Sequence, residues 1–423
     1  MRGWTYVGAL VLCAAALAVA GARREERWTS GPMRQQAYVW QRAWTPAVCE
    51  AVANHGHGVD GLALLGAEVG WPGGRLSVAK AEIDWSALPR PARAGLALRV
   101  GPDARRIERD PALVALLGDL AGALIREANE AGVEVSELQL DYDCPEARLD
   151  NYRAWAQAVR RRVAPVPLTI TALPCWLDRP EFPRLVSATD GYVLQVHSLE
   201  LPAGPDAPFT LCDPAAARRA VRKAARFHVP FRVALPTYGY VLAFDSAGKY
   251  RGLSAEGPSR AWPGDWQLRT VRADPAEMAA LVREWTNRRP AMLGGLIWYR
   301  LPTAQDSLNW PAATLAAVMQ GRTPQPALRP EIERDGGLVE ISLFNDGEAE
   351  ARAFPRITLR WGGARLVASE GLNGSSLLET DAACALEVRP AFLPPLSPGE
   401  RRKVAWLRLD PAVEVTAHVQ NTK

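Results

Sequence analysis

Three observations predict a (β/α)8 barrel followed by a small β-sandwich. Short apolar strands alternate with amphipathic helical segments from Ala37 to Leu301, and eight strand candidates over such a length suit a ring of parallel strands sheathed by helices. At 423 residues the chain is too long for one ordinary core and suits a large domain with a smaller one. After Met319 the character changes. The stretch Gln320-Gly321-Arg322-Thr323-Pro324-Gln325-Pro326 reads as a linker, and the segments beyond it are strands separated by Gly, Pro and Asn-Asp-Gly turns.

The strand candidates of the first domain are Tyr38–Gln41, Gly61–Leu65, Gly95–Val100, Leu138–Asp143, Leu168–Leu173, Tyr192–His197, Arg232–Pro236 and Gly295–Tyr299. Helical patterns run from Pro111 to Ala131, Leu149 to Val163, Cys212 to Phe227 and Pro275 to Asn287. Asp213-Pro214 and Asp274-Pro275 each offer an N-cap followed by proline in the first turn. Glu68 to Arg90 and Ala243 to Arg269 read as long loops, which on a barrel rim commonly carry function. In the tail, Val339–Phe344, Ile357–Trp361, Cys384–Val388, Val404–Leu409 and Glu414–Val419 read as strands of an immunoglobulin-like sandwich. The expected division is a signal segment over 1–22, the barrel over 35–320 and the sandwich over 331–423.

The N-terminus carries Arg2, an uncharged apolar run from Trp4 to Ala20, and small residues at Ala18-Val19-Ala20 and Ala20-Gly21-Ala22. This is the pattern of a cleavable export signal, so a periplasmic or extracellular location is expected. An uncleaved membrane anchor is the alternative, since the run reaches the lower limit for a span. No later segment is apolar enough to cross, so no span is expected in the mature protein. A net charge of +4, with arginines interspersed among acids, argues against a nucleic-acid partner.

If Cys13 leaves with the signal, Cys49, Cys144, Cys175, Cys212 and Cys384 remain, without CxxC spacing or paired histidines. The pattern points to no metal and no organic cofactor. Cys144 and Cys175 follow the fourth and fifth strands at one rim, which leaves a disulfide between them open.

Parallel strands covered by helices are ordinarily apolar on both faces. Three strands here are polar on one face, through Gln139, Asp141 and Asp143, through Thr169 and Thr171, and through Gln195 and His197. The helix-facing side must be apolar, so these residues point into the barrel, with the acids and His197 at strand C-terminal ends where barrel active sites lie. Asp141 and Asp143 stand roughly 6–7 Å apart along one face. Two partly desolvated carboxylates so close split their pKa values, one keeping its proton near neutrality, as a glycosidic acid requires. The competing reading pairs Asp141 with Arg42, Arg99 or Arg300 as a stabilising contact. Glu146 reads as a helix-start or surface acid, and Glu68 as a further rim acid. Fifteen tryptophans are many for this length, and flat aromatic faces stack on sugar rings. Trp40, Trp44, Trp71, Trp176, Tyr238, Tyr240, Trp298 and Tyr299 fall near the rim, and Trp298 is the expected floor.

The runs Leu138-Gln139-Leu140-Asp141-Tyr142-Asp143-Cys144-Pro145, Thr169-Ile170-Thr171-Ala172-Leu173-Pro174-Cys175-Trp176-Leu177 and Gly294-Gly295-Leu296-Ile297-Trp298-Tyr299-Arg300 resemble a bacterial family described as domain of unknown function 3142. That resemblance implies a fold and no established reaction. More distantly, the barrel resembles family-18 glycoside hydrolases, whose fourth strand ends Asp-x-Asp-x-Glu. The likeness implies that Gln139, Asp141 and Asp143 occupy those three places, Trp298 the floor tryptophan, and Gln195 with His197 the sixth-strand polar pair. Asp143 stands where that family has Glu, one methylene longer. The expectation is a glycan-acting enzyme with Asp143 as general acid and Asp141 orienting it or the substrate, while Gln139, Trp40, Glu68, Gln195, His197, Tyr238 and Trp298 bind substrate. A non-catalytic glycan- or envelope-binding barrel is the alternative, and a purely structural envelope protein a third reading.

Overall fold

The computed structural model describes residues 27–101, 111–198, 200–255, 261–379, 385–390 and 393–420. The expected signal segment and Cys384 lie outside them. Eight parallel strands form the barrel: β1 (Arg34–Val39), β2 (Leu62–Gly70), β3 (Arg93–Val100), β4 (Glu134–Tyr142), β5 (Leu168–Ala172), β6 (Gly191–Gln195), β7 (Phe231–Pro236) and β8 (Leu293–Tyr299). Each pairs in parallel with its successor, and β8 pairs with β1 to close the ring. Gly295 makes that closure feasible, because a Cβ there would meet the Arg34 carbonyl oxygen at 2.5 Å.

Helices α1 (Pro46–His55), α2 (Pro111–Glu130), α3 (Leu149–Val163), α4 (Phe182–Val186), α5 (Pro214–Ala225), α6 (Pro275–Asn287) and α7 (Ala312–Met319) follow their strands, except that β2 is followed by no α-helix. The capping signals are realised. Asp213 accepts from the Ala215 N–H at 2.8 Å, and Asp274 from the N–H groups of Ala276 and Glu277 at 2.8 and 3.1 Å. Losing such a cap costs about 1 kcal/mol. On α3, Leu149, Tyr152, Trp155, Ala156, Val159 and Val163 recur at helical spacing and are buried, and Trp155 stacks on Tyr142 of β4 at 5.1 Å. Hence Leu138, Leu140 and Tyr142 face outward into the helix layer, and Gln139 and Asp141 face the barrel axis.

Both long loops contain strands. In the first, Ser77–Lys80 folds back antiparallel on β2. In the second, the expected loop Ala243–Arg269 takes part in a three-stranded antiparallel sheet of Gly239–Phe244, Tyr250–Ser254 and Gln267–Arg272, set between β7 and α6. Its apolar side, with Tyr238, Tyr240, Leu242 and Phe244, forms a small core of its own with Leu211.

Beyond α7, two four-stranded antiparallel sheets form the C-terminal sandwich. One has the order 328–335, 338–345, 401–410, 365–371, and the other 375–379, 385–390, 356–361, 415–420. Val339, Ile341, Leu343, Ile357, Leu359, Val404 and Leu407 fill a core separate from that of the barrel. Arg322 pairs with Glu348 at 2.6 Å, Arg272 with Glu350 at 3.4 Å, and Thr314 donates to the Glu348 carbonyl, so the two parts touch through polar contacts. Among the described residues no helix is long and apolar enough to cross a membrane.

Candidate active site

The inward residues of the strands stack in layers along the barrel axis. Lowest is a buried ion pair: Arg232 of β7 donates to both oxygens of Glu137 on β4, at 2.6 Å each, and also to Gln36. Desolvation pushes the Glu137 carboxyl up, but Arg232 and the hydrogen bonds from Arg232, Gln139 and Thr169 outweigh it and hold the pKa below the usual range. In the next layer Gln139, wholly buried, donates to Glu137 at 3.0 Å and accepts from the Tyr38 hydroxyl at 2.7 Å. Gln139 is therefore part of the packed interior below the cleft, a correction to its expected role in binding substrate.

Above this layer a cleft of about 210 Å³ opens at the C-terminal ends of the strands. Trp40, Asp141, Asp143, Gln195, His197 and Tyr238 line it, so six of the nine expected site residues are brought together. Tyr38, Arg99, Thr171, Ser198, Tyr240 and Tyr299 also line it, with Val193 and Ala234 beneath them. Asp141 is half-buried and accepts from the Thr171 hydroxyl at 2.6 Å. Its pKa is raised by desolvation, to which the Asp143 charge adds, against the lowering influence of Arg99 and of Thr171. Asp143, just past the end of β4, is exposed at the mouth. The two acids thus differ in environment, one half-buried and one exposed.

The opposite wall is aromatic. Tyr38, Trp40 and Tyr299 meet edge to face at 5.1 to 5.7 Å, and Tyr299 also meets Tyr238 at 5.4 Å. His197 is buried against this wall. Its Nδ1 lies 3.1 Å from the Tyr238 hydroxyl, which lies 3.0 Å from the Tyr240 hydroxyl, which in turn lies 2.6 Å from the Ser198 hydroxyl. Burial pulls the His197 pKa down to about 3, so the ring is neutral.

Two further expectations need correction. Trp298 is wholly buried on the outer face of β8, against Trp310 at 6.2 Å and with its Nε1 donating to Gln35 at 3.0 Å, so it is not a cleft floor. The inward residues of β8 are Ile297 and Tyr299, and Tyr299 takes the place at the cleft. Glu68 does not line the cleft either. It pairs with Arg42 and lies 3.8 Å from Arg99, bracing that cation beside Asp141. Of the arginines weighed as partners for Asp141, Arg99 is the one that acts on it, whereas Arg300 pairs with Asp306 at 2.6 Å. Glu146 lies exposed in a short 3-10 turn, 3.9 Å from Arg179. Cys144 and Cys175 are not joined by a disulfide. Trp44 and Trp71 pack against the main core and Trp176 lies within it. Among the described residues no three His, Cys, Asp or Glu side chains gather as a metal site.

Fold and site together define a (β/α)8-barrel protein with a paired-carboxylate, aromatic-walled cleft at the C-terminal mouth. Residues 111–304 match the model of the family described as "Domain of unknown function (DUF3142)", as the strand motifs imply. The structure is similar to the spore cortex-lytic enzyme SleL of Bacillus cereus, with 13% identity and a TM-score of 0.48 over 69% of this chain and 75% of that one. It is also similar to a chitinase from Chromobacterium violaceum (15%, TM-score 0.47, 68% and 98%) and one from Bacteroides thetaiotaomicron (13%, TM-score 0.49, 69% and 97%). No curated protein matches the chain.

Proposed function

We propose that this is an exported protein that cleaves a glycan by carboxylate acid/base chemistry at the barrel mouth. The observation that carries the reading is the Asp141 and Asp143 pair, one carboxyl desolvated and raised, the other exposed directly above it, facing a wall of aromatic rings. Asp143, at the mouth, meets the glycosidic oxygen, and Asp141, its carboxyl raised by desolvation, orients the reacting group. Trp40 and Tyr299 offer flat apolar edges to a sugar ring, and the cleft, smaller than the roughly 300 Å³ at which pockets for drug-sized ligands begin, admits little more than one ring. Export rests on Arg2 and the apolar run Trp4 to Ala20.

The second reading, a barrel that binds glycan without cutting it, is favoured by the exposure of Asp143, whose short side chain faces water. One assay separates the two. Wild type and Asp143→Ala are incubated with chitin, peptidoglycan, β-glucan and acidic exopolysaccharides, and new reducing ends and bound glycan are both scored. Release by the wild type, lost in the variant, supports catalysis at Asp143. Binding without release by both proteins replaces the enzyme with a lectin-like barrel.

A further inference from the structure

His197 is the buried titratable group of the cleft that the acid/base reading leaves without a task. Its ring lines the cleft, yet its Nε2 is buried with no hydrogen-bond partner among the described residues. Its Nδ1 is engaged by the hydroxyl chain of Tyr238, Tyr240 and Ser198. A neutral imidazole carries one proton, on one nitrogen, and the partner of the other nitrogen decides which. Each hydroxyl in the chain has one proton to give. The three distances fit the chain run in either direction; run from Ser198 to Tyr240, Tyr240 to Tyr238 and Tyr238 to Nδ1, it places the imidazole proton on Nε2.

We propose that this chain of hydroxyls locks His197 as a neutral Nε2–H donor that receives an uncharged oxygen of the ligand, a sugar hydroxyl or carbonyl, so that the cleft selects neutral over acidic sugars. This deepens the glycan reading and rests on it. The charges facing the same cleft agree with that selection. Asp141 and Asp143 line it with Arg99, the one cation of the lining among the described residues, and Glu68 lies against Arg99 at 3.8 Å, so these residues hold no surplus positive charge for a carboxylate sugar. The other titratable groups on the walls beside His197 are the phenols Tyr38, Tyr238, Tyr240 and Tyr299. Nε2 is shielded from bulk water, so the contact forms as the wall yields to an entering ring. A buried donor left without an acceptor is costly, which gives a ligand oxygen at this point a gain that water-exposed donors do not offer. His197 is in this view a positioning and specificity residue. It takes no proton.

Imidazole nitrogen NMR on the 15N-histidine-labelled full chain tests the lock directly, with His197→Gln identifying the signal. The expected result is a proton on Nε2, unchanged between about pH 5 and 8, where an ordinary histidine titrates. Tyr238→Phe, or Tyr240→Phe should the first not fold, is expected to mix the two tautomers. Titration with glucose, N-acetylglucosamine and glucuronate is expected to move the Nε2 signal for the neutral sugars, with at least a fivefold weaker response to glucuronate. A proton on Nδ1, or a His197 that titrates in this range, overturns the lock. A locked His197 whose signal no neutral sugar moves, or that glucuronate moves equally, overturns the ligand assignment. Glycan release by the wild type, scored separately with Asp143→Ala, then tells whether the glycan reading falls with it.

Discussion

Asp141 and His197 share a cleft and are both desolvated, yet burial acts on them with opposite consequences for pH. Burial raises the Asp141 pKa, so the folded protein retains a proton that the unfolded chain releases near about pH 3.9. As pH climbs from there through the raised value, ionising Asp141 subtracts stability, and the penalty is complete above it. Asp141→Asn, which keeps an acceptor for Thr171, is therefore expected to raise Tm at neutral pH, with a gain that fades in acid, while abolishing any glycan release. Thermal melts across pH check the first part, and an equal gain at every pH would refute the linkage. His197 shows the reverse. Its pKa falls from an ordinary 6.5 to about 3, so stability is fully present above the unfolded value and declines as pH drops through that window. His197→Gln is expected to flatten this acid limb, by an amount on the order of a few kcal/mol between pH 7 and 3. An acid limb of undiminished slope in the variant would show that other groups set it.

On the scale of elements, β4 carries a polar side chain at each inward position from Glu137 to Asp141, each held differently, and Asp143 follows just past its end. The alternation made Gln139, Asp141 and Asp143 legible in the sequence, because polar residues are conspicuous in a strand whose other face must be greasy. Glu137 was missed because it precedes the apolar run by one residue, and Arg232 because a single arginine at a strand start looks like a flank. Their ion pair is fully partnered, so removing one member strands the other in low dielectric. Glu137→Ala is expected to cost about 3–5 kcal/mol in a denaturant melt, and a loss below about 1 kcal/mol would mean that water reaches Arg232 freely. Strand β8 shows the limit of periodicity. Leu296, Ile297, Trp298 and Tyr299 are all apolar enough for either side, so nothing local says which face is inward, and the packing turns Trp298 outward and Tyr299 inward. The sheet between β7 and α6 escaped notice for a related reason: its outer strands, Tyr250–Ser254 and Gln267–Arg272, are half-exposed or exposed, so neither shows a greasy stripe.

The molecule as a whole has two apolar cores joined by polar contacts. Composition shift and turn residues exposed that division in the sequence, since a linker followed by short strands requires only local signals. Three sandwich strands, Leu328–Asp335, Arg365–Gly371 and Ser375–Glu379, were not foreseen, and the first two are largely solvent-facing. Because Val339, Ile341, Leu359 and Leu407 meet one another and not the barrel, we propose that residues 326–423 form an independent folding unit. Expressed alone, this fragment is expected to unfold cooperatively in denaturant, whereas a gradual, featureless transition would show that it leans on the barrel. Glu348→Ala in the intact chain is expected to change stability by less than about 1 kcal/mol, since the Arg322 and Glu348 side chains are 51% and 31% exposed and the pair is screened.

The sheet between β7 and α6 has a consequence for ancestry as much as for chemistry. Tyr240 belongs to that appendage, while the hydroxyls it touches belong to Ser198 past β6 and to Tyr238, where the chain leaves β7. Tyr240 of the excursion thus joins a cleft lining otherwise drawn from the barrel strands and the residues that follow them. Insertions or exchanges in this excursion can retune what the cleft accepts without disturbing the ring of eight strands, so divergence among relatives should gather here first, and grafting the excursion from one relative to another should carry preference along with it.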